Sequence, residues 1–182
     1  MRLFIGIPLS PEVVDALAGL SQSLRSTEDG FRWSSPQSWH ITLQFLGETS
    51  ETTYACLLAH LKEVSSPEFQ VHIDGTGFFD RAGIFFAGVS DSPELAQLQK
   101  QIVAATVQCG FVAEDRPFHP HITLARAKGG ARTRVLRQLK TKIKGNERFP
   151  AFTAREFLLY EAFLGSGGSR YEIRERFPLA VR

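Results

Sequence analysis

The stretch WHITLQFLGE, residues 39–48, is echoed by HPHITLARA, residues 119–127. The tetrapeptide His-Ile-Thr-Leu thus stands at 40–43 and again at 121–124, an offset of 81 residues (121 − 40). Both copies alternate polar and apolar residues with the two-residue period of a half-buried strand. In the first, Ile41, Leu43 and Phe45 fall on one face and His40, Thr42 and Gln44 on the other. In the second, Ile122 and Leu124 oppose His121, Thr123 and Ala125. Each copy follows a strand–helix stretch and precedes a further helix. The chain therefore reads as two related halves, each supplying one His-x-Thr strand.

The surrounding elements follow from periodicity. LFIGI at 3–7 reads as a buried strand. A helix follows from Pro11, with Ser10 as its N-cap and an apolar stripe of Val13, Val14, Leu17, Leu20 and Leu24. Gly30 marks a turn. Helices are expected over 51–64, over 93–108 ending at Gly110, and over a basic 133–143. Strands are expected over 69–79 and 83–89 around an Asp80–Gly83 turn, and a hairpin over 155–164 and 170–177 around GSGGS. This mixed order predicts an α+β fold. At 182 residues and 43% hydrophobic composition, the chain can build a sizeable core, and a single domain over 1–182 is expected. No apolar run reaches the roughly 20 residues of a membrane span, and the N-terminus lacks a secretory signal pattern. Cys56 and Cys109 have no CxxC partner. One disulfide is formally available, and two buried thiols in a reducing cytosol are the expectation.

Charge is distributed unevenly. Residues 1–110 carry 6 Lys+Arg against 12 Asp+Glu, whereas 111–182 carry 15 against 7. Nine basic residues and one acid lie between Arg126 and Arg148. This asymmetry points to an anionic partner such as RNA or a phosphate ester. The chain has no glycine-rich phosphate loop of the GxGxxG or GxxxxGK[ST] kind.

Strand geometry then supplies the chemistry. Side chains at i and i+2 share a face, so His40 projects with Thr42 and His121 with Thr123. If the two strands pair or face each other, two imidazoles and two hydroxyls converge on one site. Imidazoles titrating near pH 6.5 suit an acid–base pair, one neutral and one protonated. Hydroxyls donate hydrogen bonds to anionic oxygens. A phosphate would be held there without a metal.

At these residues the chain resembles the two-histidine phosphoesterases, and within them the RNA 2′,3′-cyclic phosphodiesterases, also called 2′-5′ RNA ligases. The segments carrying the likeness are WHITLQFLGE at 39–48 and RPFHPHITLARA at 116–127, with RLFIGIPL and YEIRERFPL at the two ends. The resemblance implies a bilobal α+β fold of two pseudo-symmetric halves, with antiparallel sheets around a central cleft and helices outside. It implies metal- and cofactor-independent opening of a 2′,3′-cyclic phosphate on RNA or a nucleotide to a 2′-phosphate. By position, His40 is the proton donor to O3′ and His121 the acceptor from water. Thr42, Thr123 and Arg126 are the phosphate-binding residues. Strand parity puts Arg126 with Ile122 and Leu124, away from the cleft, so its role requires the strand to end or bulge by Ala125. A monomer in the cytoplasm is the expectation.

Other histidines offer alternatives. His119 shares parity with His121, and the two could form a metal-ligand pair. His72 falls on an exposed strand face, and His60 on a helix without an acidic partner at metal spacing. Rival functions are 2′-5′ ligation by the same residues, a metal-dependent phosphodiesterase using His119 and His121, and a non-catalytic RNA-binding module using 126–148.

Overall fold

The computed structural model describes residues 1–27, 29–129, 132–165 and 168–181. The centre of the GSGGS turn and the approach to the basic helix lie outside the described residues. The first half runs β1 (Arg2–Pro8), α1 (Pro11–Leu24), β2 (Phe31–Trp33), a single 3₁₀ turn (Pro36–Ser38), β3 (His40–Glu48) and α2 (Glu51–Leu61). Next come β4 (Phe69–Val71) and β5 (Ile73–Phe79). The second half runs β6 (Ile84–Val89), α3 (Pro93–Val107), β7 (His121–Ala127) and α4 (Arg132–Lys140). Strands β8 (Phe152–Ala154), β9 (Glu156–Gly165) and β10 (Gly168–Pro178) close the chain.

Serines begin three of the helices. Ser10, Ser50 and Ser92 each accept from the backbone N–H three residues on, at Val13, Thr53 and Leu95. Proline occupies the first turn of α1 and α3, where no N–H is needed.

One antiparallel sheet has the order β10-β9-β1-β3 and the other β2-β7-β6-β5; β4 and β8 form a separate pair. The unit β1-α1-β3-α2 thus recurs as β6-α3-β7-α4. In each, the strand before the helix lies antiparallel to the strand bearing His-Ile-Thr-Leu. The buried faces of both sheets join one core, with Ile5, Ile41, Phe85, Ile122 and Leu124 packed against Leu17 of α1 and Leu98 and Ile102 of α3. The fold is α+β and two-lobed, as the sequence predicts.

The alternation breaks at the same place in both motifs. In the β1–β3 ladder Ile5 faces Gln44 and Gly6 faces Thr42, which leaves Leu43 without a partner. In the β6–β7 ladder Phe85 faces Ala125 and Phe86 faces Thr123, which leaves Leu124 without one. Each leucine is the extra residue of a β-bulge, and a bulge moves every later side chain to the other face. Gln44, expected beside His40 and Thr42, is instead buried and accepts a hydrogen bond from Thr106 of α3 at 2.9 Å. Phe45, expected in the core, is 62% exposed. Ala125 is buried and Arg126 emerges on the His121 face.

Two further expectations need correcting. The strand expected over 69–79 is two strands separated at His72, because β4 pairs with β8 whereas β5 pairs with β6. The short strands β2 and β8 carry too few residues for a periodic signal. Cys56 and Cys109 are joined as a disulfide, with Cα atoms 5.8 Å apart, and are not buried thiols. Packing of α2 on α3 brings them together, a contact between residues 53 apart that no local pattern reveals. No helix among the described residues is long and apolar enough to cross a membrane.

Candidate active site

Strands β3 and β7 belong to different sheets and face each other across a cleft of about 990 Å³. His40, Thr42, His121, Thr123 and Arg126 all line it. The two motifs therefore face each other and do not pair, and the five residues picked from the sequence meet in one place.

Both histidines are held in the same manner. His40 Nδ1 lies 2.8 Å from the carbonyl oxygen of Ser38, and His121 Nδ1 lies 2.8 Å from that of His119. A carbonyl only accepts, so each Nδ1 carries a proton and donates it to the residue two positions earlier. That fixes Nε2 as the working nitrogen of both rings. On His40 it lies 3.1 Å from Thr42 Oγ1, which donates to it when the ring is neutral.

The His40 ring sits among aromatic rings. Phe4, Tyr171 and Tyr160 have centroids 4.6, 5.3 and 5.6 Å away. Burial lowers its pKa from 6.5 to about 4, against the opposing pull of the Ser38 carbonyl and with further help from His121. Burial also lowers the pKa of His121, with the charges of His119 and Arg126 acting the same way. Both rings are therefore neutral at pH 7. His121 is flanked edge-on by Phe79 and Phe86, at 4.9 and 5.4 Å.

His119 lies at the cleft wall with its ring centroid 6.4 Å from that of His121. Its backbone carbonyl orients His121, and its ring packs against Phe79 and Phe86. Among the described residues, the group of three potential metal ligands within mutual reach lies elsewhere, at Cys56, His60 and Cys109. His60 also has an acidic neighbour, contrary to expectation: Glu63 approaches its Nδ1 at 3.9 Å.

A family model described as the 2′-5′ RNA ligase superfamily matches residues 13–162. The chain belongs to the 2′-5′ RNA ligase superfamily. It is similar to proteins of this superfamily named RNA 2′,3′-cyclic phosphodiesterase. One from Aeropyrum pernix is 32% identical over 135 residues, covering 70% of this chain and 77% of the relative. One from Escherichia coli is 28% identical, covering 98% and 96%. One from Geobacillus stearothermophilus is 30% identical over 97% of this chain, which spans 56% of that longer relative. Among solved structures, the protein TT0787 of Thermus thermophilus superposes with a TM-score of 0.81 at 27% identity, over 98% of this chain and 97% of that one. Apo LigT of E. coli gives 0.80 at 26%, over 98% and 96%. LigT has also been solved with 3′-AMP.

Several residues that shape this superfamily member's site escape motif reading. Gly6 faces Thr42, and a Cβ there would meet the Ile41 carbonyl oxygen at 2.8 Å and His40 Cδ2 at 3.3 Å. Only glycine lets β1 approach the His40 strand this closely. Phe4, Tyr160 and Tyr171 come from β1, β9 and β10, all remote in sequence from residue 40. The signal for Phe4 and Tyr171 is the match of the two chain ends to the family, which carries no indication of contact, and Tyr160 lies in neither matched end.

Proposed function

We propose that the protein hydrolyses RNA 2′,3′-cyclic phosphate ends to 2′-phosphates by a metal-independent, two-histidine acid–base mechanism. The observation that carries this reading is the matched pair of imidazoles across one cleft, each with Nδ1 tied to a carbonyl and Nε2 left for proton transfer. The phosphate would sit between Thr42 and Thr123, with the Arg126 guanidinium completing its cradle. Binding this anion favours a protonated imidazole and opposes the burial that keeps both rings neutral.

In the proposed reaction, His121 Nε2 takes a proton from water as its oxygen attacks phosphorus. The P–O3′ bond breaks, and His40 Nε2–H protonates the departing oxygen. The products are a free 3′-hydroxyl and a 2′-phosphate. Each positioned proton transfer contributes on the order of 10²–10⁴-fold in rate. The hydroxyls and Arg126 stabilise the charge that builds on the equatorial oxygens. The same displacement with a 5′-hydroxyl in place of water as the nucleophile is 2′-5′ ligation by the same groups.

A second reading exchanges the two roles. It is favoured by the stronger depression at His40, which makes that ring the harder of the two to protonate. A substrate whose leaving group needs no acid separates the readings, because it rescues loss of the acid histidine only.

The basic helix α4 flanks the cleft through Lys140, which bonds Asp80 on the rim at 2.8 Å. We place the strand of a longer RNA along this side, with the whole chain acting as one monomeric cytoplasmic unit. The test is an oligoribonucleotide ending in a 2′,3′-cyclic phosphate, incubated with excess EDTA. A 2′-phosphate product at the untreated rate supports the proposal. A 3′-phosphate product, or loss of activity restored by a divalent ion, overturns it.

A further inference from the structure

Away from the cleft, the C-terminal end of α2 meets the end of α3. Cys56 and His60 are four residues apart on α2 and so share one helix face. Cys109 follows α3 in a turn closed by its own N–H donating to the Thr106 carbonyl at 2.9 Å. The two Sγ atoms and one imidazole nitrogen of His60 all lie within 4.8 Å of one another. All three residues are half-buried, open enough for an ion to reach them. His60 also lines a neighbouring groove of about 370 Å³, together with Glu63 and Gln101. The side-chain oxygen of Gln101 is buried with no hydrogen-bond partner among the described residues.

We propose that these three side chains form a thiolate-dependent metal site that alternates with the disulfide. Tetrahedral zinc with two sulfurs and one nitrogen places neighbouring donor atoms roughly 3.5–3.8 Å apart. The present cluster needs only small side-chain shifts to reach that spacing once the S–S bond opens. A dithiol reductant supplies the two electrons and two protons that convert the disulfide to two thiols and is itself oxidised to a disulfide. Binding the ion then releases both thiol protons and gives an S₂N set with one position open. Glu63, already 3.9 Å from His60 Nδ1, or a water fills that position. Soft thiolate and borderline imidazole donors select zinc-class ions over magnesium or calcium. In a thiol-rich compartment the metal-bound form predominates; exchange with a small-molecule disulfide, which takes two electrons and two protons to become two thiols, re-forms the protein disulfide and releases the ion.

The experiment measures zinc bound by the full chain after gel filtration, in the oxidised state and after reduction, with cobalt substitution as a second readout. The expected result is one zinc per reduced chain, none per oxidised chain, and cobalt spectra with thiolate charge-transfer bands. His60→Ala and Cys109→Ser, checked for folding by circular dichroism, should each weaken binding at least about 100-fold, since even outer-shell partners contribute on the order of 10–100-fold. Equal zinc in both redox states overturns the proposal, as does zinc retained by folded Cys109→Ser. A His60→Ala variant that binds like wild type removes His60 from the site and overturns the three-ligand assignment.

Discussion

The depressed pKa of His40 makes the acid stability of the protein a direct measure of how this cleft imidazole is buried. An ordinary histidine titrates at 6.5, whereas His40 titrates at about 4 in the folded chain. Between those values the unfolded chain binds a proton that the folded chain refuses. The stabilising contribution is therefore complete above pH 6.5 and is lost as the pH falls toward 4. Linkage between these two constants gives a loss of about 2 kcal/mol at pH 5 and about 3 kcal/mol at pH 4. Urea unfolding of the wild type and of His40→Gln at pH 7.5 and pH 5.0 isolates the effect. Carboxylates and the histidines remote from the cleft titrate alike in both proteins and cancel in the difference. The stability gap between the two proteins should shift by about 2 kcal/mol between the two pH values, with the wild type losing more. Parallel pH dependences, agreeing within about 0.5 kcal/mol, would refute the claim that burial holds the His40 ring neutral.

Replacing either His40 or His121 by alanine should lower kcat/KM by roughly 10²–10⁴-fold in steady-state assays, and the double variant should be little worse than the poorer single one. Gly6→Ala should lose about 1–3 kcal/mol in urea titrations and lose activity with it, because the new methyl group meets backbone and not a yielding side chain. Exchanging Arg132, Arg134 and Arg137 on the exposed face of α4 for glutamine should flatten the salt dependence of oligoribonucleotide binding by up to about 2 in log–log slope, at roughly 0.7 per phosphate contact. The same triple variant should turn over a mononucleotide cyclic phosphate at the wild-type rate; equal losses on both substrates would place α4 in the cleft itself.

Much of this architecture is legible because the repeat carries its own context. His40 and His121 each sit two residues before a threonine on a strand, and each strand follows a helix whose serine cap and proline start stand in the sequence. The face of each later residue is less legible. Alternation predicts Phe45 inward and Arg126 away from the cleft, and both are reversed by bulges at Leu43 and Leu124. A bulge is a property of two strands in register, so one strand's pattern does not reveal it. The need for one before Arg126 is inferable only from the role its family position implies. The same holds for the aromatic box around His40 and for the Cys56–Cys109 bond, which depend on elements from both ends of the chain or from two packed helices. His119 illustrates the limit of residue-type reasoning: what it gives the site is its backbone carbonyl, which every residue possesses.

If His40 and His121 act in opposite protonation states, as proposed, the pH dependence of turnover must show it. For hydrolysis of a 2′,3′-cyclic phosphate, kcat/KM reports the free enzyme and kcat the bound complex. Burial lowers the pKa of both rings, so the singly protonated form of the free enzyme is most populated on the acid side of pH 6.5. The expected kcat/KM profile is bell-shaped with its maximum below pH 6.5, its two limbs belonging to the coupled pair and not to either ring alone. A kcat maximum at higher pH is also expected, because a bound phosphate anion favours protonation. A kcat/KM profile that rises monotonically to high pH, or a full bell that survives in His40→Ala, would contradict the proposal.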